Sequence, residues 1–163
     1  MALEQLNYKS PDGCISHGTH REIIQSIGTT TRQLTPAESG ALILMDASDQ
    51  ITVTLPTPVA GMEFEFLTTI SVTTSDTHKI ITKTIASEFF LGGIDSSSTT
   101  VAEGGDTFTA VTGDSFVAIT SNGSTTGGLL GQHFKITAIS TTRWVVSGCL
   151  MGTGTLATPF ATS

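Results

Sequence analysis

From residue 40 onward, apolar and polar positions alternate in short runs. Leu42-Ile43-Leu44-Met45 is followed by Ile51-Thr52-Val53-Thr54 and then by Glu63-Phe64-Glu65-Phe66. A period of two sends successive side chains to opposite faces of a strand. Between the first two runs lies the polar turn Asp46-Ala47-Ser48-Asp49. Pro56 and Pro58 follow the second; proline cannot donate to a ladder, so this corner ends a strand. The same grammar continues, and it predicts strands over 41–45, 50–55, 63–72, 79–84, 107–112, 115–120, 133–139 and 143–147. Gly113-Asp114 between TFTAV and SFVAI predicts a tight hairpin, and Ser140-Thr141-Thr142 another. Segments 92–105 and 121–131, polar and Gly-rich, read as loops. Short strands at this spacing predict an all-β fold, an antiparallel β-sandwich of jelly-roll type.

Residues 1–36 show no such alternation and read as an extended N-terminal arm that packs on something else; 37–163 read as the sandwich domain. Within the arm, REIIQSI is one or two helical turns or a short strand. The domain ends in a small-residue tail, 151–163, where an apolar Phe160 needs somewhere to dock. No heptads appear, and no repeat at solenoid or propeller period.

Composition narrows the functional classes. Only 13% of the 163 residues are charged, and the net charge is −7 with seven Lys and Arg. Such a chain has no cationic footprint for phosphates, so neither nucleic acid nor an anionic membrane is an expected partner. No apolar run is long enough to cross a bilayer, and the N-terminus shows no secretory leader pattern. A mean hydropathy of +0.20 without a membrane span suggests surface hidden in an assembly. Cys14 and Cys149 are far apart in sequence; the default is two free thiols of a chain made in a reducing cytoplasm, with a disulfide between them as the alternative.

Candidate chemistry is sparse. Cys14, His17 and His20 cluster, but their spacing fits no common zinc-finger pattern, and His78 and His133 stand alone, so no metal is expected. Glu63 and Glu65 share one face of a strand, as a glycosidase pair would, yet a chain with one Trp and one Tyr has no sugar platform. They read as a solvated face. Asp46, Asp49, Asp95 and Asp106 lie in turns without a calcium-loop motif. No nucleophile elbow, P-loop or dinucleotide fingerprint occurs. The expectation is a protein without catalytic residues and without a cofactor.

Two segments carry a resemblance. ALILMDASDQITVTLPTPVAGMEFEFLTT contains Thr54-Leu55-Pro56, Ala60-Gly61 and Phe64-Glu65-Phe66; HFKITAISTTRWVVSGCLMGTGTLATPF contains Arg143-Trp144 between two strands. Together, over about residues 40–160, they resemble small capsid decoration (cement) proteins of tailed bacteriophages, with head-fibre and tail-fibre modules as relatives. The resemblance implies a virion protein made in the host cytoplasm. It would sit on the outer capsid as a homotrimer, bound to the major capsid protein and to copies of itself, without catalysis. Ile23, Ile24, Leu129, Leu130, Trp144 and Phe160 are the candidate interface anchors, because buried aliphatic and aromatic groups dominate interfaces. The alternative is a fibre module whose 92–105 and 121–131 loops bind a host glycan.

Overall fold

Strands form where side chains alternate because each buries every second residue and leaves the others at the surface. The pattern is strict in β6 (Ile51–Thr54), β7 (Glu63–Thr68) and β12 (His133–Ala138). The computed structural model describes residues 8–9, 15–16, 23–25, 31–111 and 115–163. Its other strands are β1 (Tyr8–Lys9), β2 (Ile15–Ser16), β3 (Ile23–Gln25), β4 (Thr31–Gln33), β5 (Leu42–Met45), β8 (His78–Ile81), β9 (Phe89–Ser98), β10 (Gly105–Ala110), β11 (Ala118–Ser121), β13 (Arg143–Gly152) and β14 (Phe160–Ala161). A 3-10 turn, Pro36–Glu38, is the one helical element among the described residues.

The strands build two mixed sheets. One runs β10-β9-β13-β12-β7-β5-β3, the other β14-β11-β8-β6-β4, while β1 and β2 pair with each other. Antiparallel pairing was expected throughout. It holds for β7–β12–β13, β9–β10 and β8–β11–β14, whereas β3–β5–β7, β4–β6–β8 and β9–β13 are parallel. The Greek keys of a jelly roll are antiparallel, so these ladders depart from that expectation.

The cause lies in the turns. The 46–50 turn does not fold β6 back beside β5 but carries it across to the opposite sheet. β3 to β8 therefore wind as coils, each giving one strand to each sheet. Ile23 aligns with Leu42 and Leu42 with Glu65; Thr31 aligns with Thr52, and Ile51 with His78. The connections differ in length, so the winding leaves no period in the sequence.

Two local expectations change as well, and the others hold. Segment 92–105, expected as a loop, is mostly the second half of β9 and the first residue of β10, joined by a short turn. β10 and β11 belong to different sheets, so no hairpin joins them, and Gly113-Asp114 lies outside the described residues. The 140–142 hairpin is present, with the Ile139 N–H donating to Arg143 O at 3.0 Å. REIIQSI supplies β3. The tail docks: β14 pairs with β11, and Phe160 packs against Phe116 with ring centroids 5.7 Å apart.

Both sheets feed one core. Ile43, Met45, Phe64, Phe66, Phe90 and Trp144 come from the larger sheet, and Ile51, Val53, Ile80, Ile119 and Phe160 from the smaller. Phe66 stacks on Phe134 (5.3 Å, 17°), and Phe64 packs on Trp144 at 6.1 Å. Burying each such side chain contributes about 1.5–3 kcal/mol.

Strand directions define two ends. The 46–50, 69–77, 99–104, 122–132 and 153–159 connections gather at one, here the loop end; the Pro56–Pro58 corner and the 140–142 turn lie at the other.

Candidate interaction surface

The loop end is held rigid by two amide side chains. Asn122 Oδ1 accepts from the Ser124 and Thr126 N–H groups (3.0 and 3.1 Å), and its Nδ2 donates to Thr125 Oγ1 at 3.2 Å. Gln132, buried, accepts at Oε1 from Gly128 N–H at 2.6 Å and donates from Nε2 to Ser121 Oγ at 3.1 Å. Glycine is required at 123: its φ is +70°, and a Cβ there would overlap the Val72 carbonyl. The loop is thus folded on itself and pinned to its neighbours.

What this scaffold displays is apolar. The Leu130 N–H donates to Ser71 Oγ at 2.8 Å and the Gly131 N–H to Thr68 O at 2.9 Å, which sets Leu130 next to the Ile70 segment. Leu130 is 60% exposed and Ile70 47%. The β9–β10 tip adds Val101, fully exposed. That tip joins the same end: Gly154 N–H donates to Thr100 Oγ1 at 2.9 Å, and Thr153 N–H to Ser124 O at 3.0 Å. Asp49, Asp76 and Glu103 stand on these connections, so the apolar groups are set among carboxylates.

The sequence-derived anchors fall into three groups. Leu130 is displayed, and Leu129 beside it is half-buried, its N–H bonded to Met151 O at 3.1 Å. Trp144 and Phe160 are buried in the chain's own core, so neither side chain is presented to a partner. Ile23 and Ile24 align with Leu42 and Ile43 in the larger sheet; their side chains lie outside the described residues. Ile70 and Val101 were missed. Val101 had a signal, a large apolar residue inside the polar run TTVAEGG; Ile70 was hidden because the strand expected over 63–72 covered it.

The other constellations are structural. Glu63 pairs with Lys135, and Glu65 Oε2 lies 3.3 Å from His133 Nε2, so both glutamates belong to cross-strand pairs on the outer face of the larger sheet. Cys149 is an exposed free thiol. Cys14, His17 and His20 lie outside the described residues. Among those described, no three His, Cys, Asp or Glu converge to hold a metal, and no helix is long and apolar enough to cross a membrane.

Compared with protein-family models, with curated proteins and with solved structures, the chain matches none.

Proposed function

We propose that this chain is a virion structural protein, a capsid decoration or cement protein of a tailed bacteriophage. Its two sheets pack as a sandwich, it seats as a homotrimer on the outer capsid shell, and it turns its loop end toward the major capsid protein. The reading starts from the sequence resemblance. The observation that carries it further is the exposed pair of Leu130, on the loop locked by Asn122 and Gln132, and Ile70, on the adjoining connection bonded to it. An apolar group held rigid loses little conformational freedom on binding and serves well as an anchor. Weak contacts repeated over a shell then add up through multivalency. No cofactor and no catalytic step enter this function.

Light scattering of the purified protein tests the trimer, and co-sedimentation with empty capsids tests the binding. Leu130→Asp should strip the protein from capsids while its melting temperature stays within a few degrees of the parent's. Val59→Asp, at the opposite end, should bind as the parent does. Full capsid occupancy by Leu130→Asp would sink the proposal.

A fibre-type recognition module remains the second reading. It is favoured by the bonds from Gly154 to Thr100 and from Thr153 to Ser124, which bring the two expected glycan loops together. Binding of the purified protein to a glycan array would select it.

A further inference from the structure

We propose that His78 is an acid-sensitive latch, closed while its buried imidazole is neutral, that ties the 46–50 turn to the 69–77 loop and so sets the position of Ile70 at the loop end. His78 opens β8 at the root of the 69–77 loop and is 1% exposed. Its Nε2 lies 2.9 Å from the Ala47 carbonyl oxygen, so that nitrogen carries the proton and donates across to the turn. Nδ1 is buried without a hydrogen-bond partner, as the unprotonated nitrogen of a neutral ring.

The 69–77 loop is also bonded to this turn at Ser48 and to the end of β5 at Met45. Thr73 N–H donates to Ser48 O at 2.9 Å, and Thr69 N–H and Ile70 N–H both donate to Met45 O, at 3.0 and 3.4 Å. His78 is the one titratable group among these fastenings that changes charge between about pH 5 and 8.

The charged groups around it are few. The turn contributes Asp46 and Asp49, the loop contributes Asp76, and β8 itself contributes Lys79; the facing residues of β6 and β11, Ile51 and Ser121, carry none. Burial disfavours the imidazolium most strongly, against the opposing pull of the Ala47 and Asp49 backbone and the Asp46 and Asp76 carboxylates. The balance holds the imidazole below its ordinary 6.5. A group so lowered favours the closed form above that value and weakens it as pH falls. Protonation charges a ring that the closed site keeps from water. Opening lets it meet water or the nearby carboxylates.

Amide exchange on the whole protein, corrected for intrinsic rates, tests the latch at about pH 7.5 and about pH 5. Protection of the Thr73 and Ile70 amides should fall about tenfold or more in acid. In His78→Gln, whose amide can donate to Ala47 O but does not titrate, it should stay level. Unchanged protection in the parent, or an equal fall in His78→Gln, overturns the proposal. NMR titration of the parent's imidazole covers the case in which the variant fails to fold. The expected midpoint lies below 6.5 and is shared by the Ile70 and Thr73 amide shifts; a midpoint at or above it refutes the latch. Capsid binding is no part of this readout, so the latch and the virion reading stand or fall separately.

Discussion

Gln132→Ala removes the side chain that organises the loop end. The amide is buried and bonded at both atoms, to Gly128 N–H at 2.6 Å and to Ser121 Oγ at 3.1 Å. Truncation leaves a backbone donor and a hydroxyl without partners in a place water does not reach freely. Each orphaned group costs about 1–3 kcal/mol, so the loss should be about 2–4 kcal/mol once some relaxation is allowed. The weaker contact from Met151 N–H, at 3.4 Å, adds little. In urea unfolding followed by Trp144 fluorescence, an m-value of about 2 kcal/mol/M turns that loss into a midpoint lower by about 1–2 M. The m-value itself should not change, since the same core is exposed on unfolding. A midpoint shift under about 0.3 M would mean that Gln132 does not hold the loop, and the rigid-display argument would fail with it.

Phe160→Ala should cost about 3–5 kcal/mol by the same assay, because β14 loses its anchor against Phe116; a shift like that of a surface substitution would mean the tail is not docked. Gly123→Ala should cost more than Gly61→Ala. Both positions have positive φ, but only the first has a backbone oxygen in the way, and equal melting temperatures would contradict this. Between about pH 7 and 5 the parent should lose stability as His78, lowered in the folded state, takes up its proton; His78→Gln should flatten that part of the profile, and superimposed curves would refute it.

The sequence showed which residues face inward but not which strands are neighbours. Ile43 and Met45, then Ile51 and Val53, alternate in the same way whether β6 pairs beside β5 or faces it across the core. Period 2 reports the face, and both arrangements bury the same face. The 46–49 turn signal was equally neutral, since polar residues suit a crossing between sheets as well as a hairpin. β9 was hidden because GGIDSSS looks like a loop, yet Ile94 and Ser96 are buried in alternation, and Gly92 accepts a φ of +98° against the Val146 carbonyl. Among the anchors, Leu130 was legible as an apolar residue in a Gly-rich loop. Trp144 and Phe160 were equally conspicuous, but size alone does not separate an anchor from a core residue. His78 gave no sign in the sequence; its burial depends on two connections meeting over it.

The alternation of β3 to β8 between two sheets has a kinetic consequence. No strand in that stretch pairs with its successor, so no local hairpin within it can serve as a nucleus, in contrast to β9–β10 and β12–β13. Each ladder requires a whole coil to be closed before its bonds form, and β9 finds β13 only after three intervening strands have been placed. Loop-closure entropy is spent early and recovered late, which sets refolding in the millisecond-to-second range typical of non-local β topologies. During that interval the ten-residue edge of β9 stands open to other chains, so refolding yield should fall as protein concentration rises.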